Sequence, residues 1–289
     1  MDRTSAIRRV LVITLVLNVV VSAAKVVYGH LINSVSMMSD GYHSLFDGVS
    51  NVVGLVGVYI SSHPPDEKHP YGHRKYETFF TVFVGVLMFI TCIEIFKGVY
   101  SSLTAGKTAV VTAEAFLIML VTLAVNIGVS GYERKRGRQL GSEYLLADSM
   151  HTQSDIFVSL GVISGLVLTR LGVPLADPVV GAIVGILVAK AGIGVIRGAA
   201  QTLVDETQAD TSQVRDLVCT VQGVVDCHGI RTRGTKSHIF VDLHVLVNPA
   251  MSIEEAHRIA DLVEEAIKER IPGVVDVVVH IEPSSSGLP

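Results

Sequence analysis

The sequence predicts an α-helical membrane domain of six transmembrane helices followed by a small C-terminal α+β domain. Three observations predict this. Of the 289 residues 49% are hydrophobic and 17% charged, giving a mean hydropathy of +0.50 that an ordinary aqueous domain of this length does not reach. Six apolar runs, each of about 20 residues or more and so long enough to cross a hydrocarbon core, occupy the chain up to Leu203. Beyond that point the pattern changes to alternating and amphipathic segments that hold 14 of the 27 acidic but only 7 of the 23 basic residues. The predicted domains are therefore 1–205, spanning the membrane, and 206–289, outside it.

The runs are Val10–Ile32, Val35–Ile60, Phe79–Leu103, Val110–Gly131, Tyr144–Leu171 and Val179–Leu203. The first is as long as a full span and lacks a small-residue cleavage site, so it reads as a span rather than a signal peptide. Short connections are predicted near His30–Ser34, Thr104–Ala109 and Gly172–Pro178, and longer loops over His63–Glu77 and Glu133–Glu143. Basic residues gather at Arg3, Arg8 and Arg9, in the first long loop at Lys68, Arg74 and Lys75, and in the second at Arg134–Arg138. The positive-inside rule then puts both termini on the cytoplasmic side of a multi-pass protein of the cell (inner) membrane, with the lipid bilayer as its solvent. Trp is absent, so Tyr and Phe must supply the interfacial belt. The three cysteines show no C-x-x-C spacing, which argues against a disulfide framework, and the acidic tail argues against nucleic acid as a partner.

Within the tail the pattern predicts a helix over Thr211–Val221, strands over Val224–Arg233 and His238–Val247, a helix over Ser252–Arg270 opened by the capping-box residues Ser252 and Glu255, and a last strand over Val274–Ile281. About 80 residues make a marginal independent core, so dimerisation would help it.

The polar residues inside the apolar runs carry the chemistry. Asp40-G-Y-His43-S-L-F-Asp47 and Asp148-S-M-His151-T-Q-S-Asp155 repeat one spacing in the second and fifth runs. On a helix, residues four apart share a face, so each octet presents a histidine and an aspartate together. Two such faces opposed supply four nitrogen and oxygen ligands, a set that suits tetrahedral Zn²⁺. The alternative is a buried polar network between helices. Asp40 and Asp148, one turn earlier, fit equally a direct ligand or a supporting hydrogen-bond partner.

With S-D-G-Y-H-S-L-F-D, H-P-Y-G-H-R-K-Y-E, A-D-S-M-H-T-Q-S-D, H-G-I-R-T-R and V-V-V-H-I-E-P in place, the chain resembles the cation diffusion facilitators, divalent-metal/proton antiporters with six spans and a cytoplasmic metallochaperone-like domain that forms a homodimer. The resemblance implies a transport site at His43, Asp47, His151 and Asp155. Histidine at position 43 is similar to the zinc-selective branch, while manganese-type members place acids where His151 stands; Fe²⁺, Cd²⁺, Co²⁺ and Mn²⁺ remain as other cargoes. It further implies a peripheral loop site at Asp66, His69 and His73, a charge pair between Lys75 and Asp205, and a metal site in the tail from His228, His244, His257, His280 and Glu282, where Zn²⁺ would act as a regulatory ligand. Adjacent strand positions two apart share a face, so Glu282 accompanies His280.

Histidine and aspartate bind protons in competition with metal, so export would be coupled to proton entry by that competition, with alternating access around a site near the membrane midplane. Two rivals stand beside this antiporter reading: a metal-gated channel or sensor, and a membrane metalloenzyme. No H-E-x-x-H or accompanying nucleophile supports the second.

Overall fold

The computed structural model describes residues 3–31, 35–105, 113–170, 173 and 176–284; within them the side chains of 28–47, and of a few positions near other helix ends, lie outside the description. The chain divides into two compact units, Met1–Ala200 and Gln201–Pro289.

The first unit holds six long helices: α1 (Arg3–Leu31), α2 (Val35–Ser61), α3 (Lys75–Ala105), α4 (Ala113–Leu140), α5 (Glu143–Arg170) and α6 (Ala176–Leu203), the last running just across the division. Among the described residues four helices, α1, α3, α4 and α6, are long and apolar enough to cross a membrane, and α2 adds the apolar stretch Gly48–Ser61. Large side chains such as Val16, Val20, Val56, Ile90 and Ile93 point outward, as a lipid-facing surface requires. The inner faces of α1, α2, α3, α5 and α6 meet in a core that includes Ile7, Leu11, Val58, Val84, Met88, Tyr144 and Val195. With hydrocarbon on both sides of the comparison, such helices associate through close packing and polar contacts rather than apolar burial. Gly54 shows the packing: a Cβ there would lie 2.2 Å from the Tyr144 ring, so α2 and α5 approach at a position open only to glycine. The Tyr144 hydroxyl donates to the Ser50 carbonyl at the same contact.

One predicted loop is corrected. Glu133–Glu143 is not a loop, because α4 continues to Leu140 and the connection to α5 is only Gly141 and Ser142. Arg, Lys and Gln are good helix formers, and the apolar run marks where hydrocarbon ends rather than where the helix does. Gly141 adopts φ 56° and the Ser142 amide donates to the Gly137 carbonyl (3.0 Å), the hydrogen bond of a left-handed helix stop. Ser142 also donates to Glu77, whose other oxygen accepts from Arg3 (3.1 Å), so α1, α3 and the α4–α5 turn are fastened at one end of the bundle.

The second unit contains α7 (Thr211–Val218), β1 (Asp226–Thr235), β2 (His238–Val247), α8 (Ile253–Arg270) and β3 (Val274–Pro283). Helix α7 ends at Val218, three residues short of the predicted end, and β1 begins two residues late because a turn fills the interval. β2 has the predicted bounds, and Ser252 and Glu255 form the predicted capping box of α8. The three strands order β1-β2-β3, β1 antiparallel and β3 parallel to β2. Alternation divides the sheet: Ile239, Val241, Leu243, Val245 and Val247 pack against Val214 and Val218 of α7 and Ile259, Val263 and Ile267 of α8. The intervening positions, His244 among them, occupy the uncovered face.

Asp205 follows α6 at φ 61°, and the Glu206 amide donates to the Gln201 carbonyl (3.0 Å). Aspartate therefore occupies the left-handed stop position usually taken by glycine.

Candidate metal centres

On α5, Asp148, His151, Thr152 and Asp155 follow the three- and four-residue spacing of one helical face. They line a cavity of about 30 Å³ with Asn18, Ser50, Asn51, Thr122 and Asn126, room enough for a water molecule or an ion stripped of most of its water. Asp148 is 2% and His151 4% exposed. A carboxylate so placed needs partners, since an uncompensated charge in this setting is strongly unfavourable. Asn51 provides one, donating 3.0 Å to Asp148 Oδ2 and 3.0 Å to Thr14 Oγ1 while its own oxygen accepts from Asn18 (3.1 Å). The Thr152 hydroxyl, with a single proton to give, lies 3.2 Å from the Asp148 carbonyl and 3.3 Å from an oxygen of Glu133, which is 1% exposed. The second octet lies on α2, and the side chains of Asp40, His43 and Asp47 fall outside the described residues.

The loop between α2 and α3 brings Asp66, His69 and His73 together. Their nearest donor atoms lie within 4.8 Å of one another, with His69 Nδ1 3.1 Å and His73 Nε2 3.5 Å from the two Asp66 oxygens. Asp66 is held below the ordinary aspartate value chiefly by the backbone amide of His69, with the His69 ring and the Lys68 amide adding to it.

In the tail, strand register places His228 opposite His244 and His244 opposite His280, so three strands contribute one histidine each to a row across the open face. Ring centroids are 5.1 Å apart for the first pair and 4.8 Å for the second. Glu282, two residues beyond His280, turns back along the row. It accepts from His244 Nδ1 (2.7 Å) and His228 Nε2 (3.1 Å) and lies 3.7 Å from His280 Nε2. The His244 bond, joined by that from His228, holds the Glu282 carboxyl below its usual range against the burial that would raise it. Gly229 permits this row: its φ is +63° and a Cβ there would stand 3.2 Å from the His244 ring. His257 is not brought to the row; it lies exposed on α8, 3.9 Å from Asp261.

Several polar residues around these clusters had no place in the sequence reading. Asn18 and Asn51 lie inside apolar runs, a placement that itself signals function or interhelical bonding. Glu133 was hidden by the misplaced loop. A further cluster joins Cys219, Asp226 and Cys227, which no local spacing reveals. Here burial, with the neighbouring Cys219 and Asp226, pushes the Cys227 thiol up to about 12. Lys75 and Asp205 belong to different units.

The cation efflux transmembrane domain family matches residues 11–204, and the cation efflux protein cytoplasmic domain family matches residues 207–284. The chain belongs to the cation efflux, or cation diffusion facilitator, family, whose members are membrane transporters and not enzymes. An uncharacterised transporter of Methanocaldococcus jannaschii is 31% identical over 96% of this chain and 98% of its own. The manganese efflux system protein MneS of Bacillus subtilis is 29% identical over 91% of each chain. The cation-efflux pump FieF of Serratia proteamaculans is 27% identical over 90% of this chain and 87% of its own. Among solved structures, one described as a putative zinc transporter, CzrB, is 28% identical, covering 26% of this chain and 92% of its own at a TM-score of 0.24.

Proposed function

We propose that the protein exports divalent metal cations, Zn²⁺ foremost, from the cytoplasm in exchange for protons, through a tetrahedral site made by His43, Asp47, His151 and Asp155. The observation that carries this reading is the α5 face: His151 and Asp155 border a small polar cavity inside the helix bundle. A dication and two carboxylates neutralise one another there, which offsets the desolvation of each. Protons arriving from outside compete for the same imidazoles and carboxylates and so release the metal. Asp148, braced by Asn51, orients the α5 ligands from one turn below.

The domain arrangement follows the same reading, with a transport domain over 1–205, a dimerising metal-binding domain over 206–289, and both termini cytoplasmic. The loop cluster at Asp66, His69 and His73 would gather metal at the cytoplasmic mouth, and the tail row would bind Zn²⁺ as a regulatory ligand, with His257 contributing only where a partner copy brings it near. Lys75 and Asp205 would tie the loop to the end of α6.

The test is flux into proteoliposomes with a pH indicator inside. Zn²⁺ entry accompanied by stoichiometric proton exit supports the antiporter. Zn²⁺ flux that leaves internal pH unchanged would establish the channel reading instead. The cargo is tested by His43→Asp, which replaces a borderline nitrogen with a hard oxygen and should shift competition away from Zn²⁺ toward harder ions such as Fe²⁺ or Mn²⁺ or the larger Cd²⁺. Mn²⁺ outcompeting Zn²⁺ in the unaltered protein would overturn the zinc assignment in favour of the cargo in the name of the Bacillus relative.

A further inference from the structure

Helix α7 closes at Cys219, a turn containing Gly223 at φ +99° reverses the chain, and β1 opens with Asp226 and Cys227 beneath it. The two sulfur atoms are 4.0 Å apart and Cys219 Sγ is 3.9 Å from Asp226 Oδ1. One donor atom from each of the three residues lies within 4.8 Å of the others. A tetrahedral Zn²⁺ held at about 2.3 Å by sulfur and about 2.0 Å by oxygen sets its ligand atoms roughly 3.5–3.8 Å apart. A disulfide needs its sulfurs at about 2.05 Å. The spacing is close to that of ligands around an ion.

We propose that Cys219, Asp226 and Cys227 form a three-donor site for a thiophilic divalent cation, Zn²⁺ or Cd²⁺, separate from the histidine row, with water completing the tetrahedron. Access and anchorage are divided between the ligands. Cys219 is exposed and Asp226 partly so, while Cys227 is 0% exposed in the core under α7. Arg215 supplies the charge balance. Two thiolates and a carboxylate carry three negative charges against two on the ion, and the Arg215 guanidinium, 2.9 Å and 3.2 Å from the Asp226 oxygens, provides the third positive charge. Both thiol protons leave to solvent as the metal binds. Asp226 can ligate through Oδ1 and keep Oδ2 for Arg215, because both side chains are about half exposed.

The site is also placed to communicate. Cys227 and His228 are consecutive on β1 and therefore project to opposite faces, one toward α7 and one into the histidine row. A soft sulfur site and a borderline nitrogen–oxygen site thus share one strand, and ligand softness separates the ions each prefers.

The experiment titrates the reduced full-length protein with Cd²⁺ and reads the ultraviolet sulfur-to-cadmium charge-transfer band, to which histidine and carboxylate sites are silent. Cys92, the remaining cysteine of the three, is replaced by alanine throughout. The expected result is a band that saturates at one Cd²⁺ per chain and survives His244→Ala with His280→Ala. Cys219→Ser, at an exposed helix cap, should diminish the band and weaken Cd²⁺ by more than the roughly 10–100-fold that loss of an outer-sphere partner causes. Asp226→Asn should keep both thiolates in the spectrum while weakening binding about tenfold, the lower end of that range. No band, or a band untouched by Cys219→Ser, overturns the proposal. So does a Cys219–Cys227 disulfide forming in air in a protein whose reduced form gives no band, which would make the pair a redox link.

Discussion

The α5 cavity and the histidine row of the tail use the same donor types under opposite solvation. In the cavity, Asp148 and His151 are almost wholly buried and the carboxylate is satisfied by Asn51, which is itself held by Thr14 and Asn18. In the row, the side chains of His228, His244 and Glu282 are 52%, 35% and 27% exposed. Water can reach each of these donors. The difference teaches that, for a bound cation, charge balance would govern the first place and donor count the second. Removing one charge from a dry site unbalances the whole, whereas removing one donor from a wet site weakens binding by a step.

The sharpest contrast is expected from Asp155→Ala. Transport in everted vesicles should fall by more than the ~10–100-fold typical of outer-sphere substitutions, with the protein still folded. Transport near the unaltered rate would remove Asp155 from the site and break the comparison at the cavity.

At the exposed end, His244→Ala combined with His280→Ala should lower Zn²⁺ affinity of the tail row by about 10–100-fold, read by calorimetry on full-length protein carrying Asp155→Ala. In the unaltered row affinity should fall on acidification. Glu282, whose pKa is lowered by His244 and His228, stays ionised below the usual glutamate range, so the imidazoles, which ligate only when neutral, carry that loss. Unchanged affinity in the double variant would remove the row as a metal site.

The bracing of the buried carboxylate gives a stability test. Asn51→Leu strips Asp148 of a donor and should cost about 1–3 kcal/mol, seen as a lower melting temperature in detergent. Replacing a residue in the wet row, such as His228→Gln, should leave melting nearly unchanged. Equal effects would mean that the two environments do not differ as described.

The smallest effect concerns Lys75 and Asp205. Asp205 occupies a left-handed position that a lysine tolerates poorly, so Asp205→Asn is the clean neutralisation, since asparagine accepts that conformation. If the pair couples, Lys75→Gln and Asp205→Asn should be non-additive in a double-variant cycle of transport rate, by more than the ~0–1 kcal/mol of a surface bridge. Additive effects would show the two charges acting separately.

Much of this was legible in the sequence because the signals are local and periodic. Apolar run length fixed the helices of the membrane unit, alternation marked β2, and Ser252 with Glu255 announced α8. The octet spacing put His151 and Asp155 beside one cavity because residues three and four apart on one helix share a face, a relation written directly into the chain. Less legible was the end of α4, since helix propensity carries the backbone past the last apolar residue.

What the sequence by itself determined is which side chains share a face: period 3.6 put Asp148, His151 and Asp155 together, and period 2 put His280 with Glu282. Only the tertiary structure decided what those faces meet. Strand register aligned His228, His244 and His280 into a row, helix packing at Gly54 and Tyr144 set Asn51 against Asp148, and one turn laid Cys219 over Cys227. These are contacts between residues 8 to 97 positions apart, and no local periodicity encodes them. They arise when close packing and the need to satisfy every buried polar group select one arrangement of the elements.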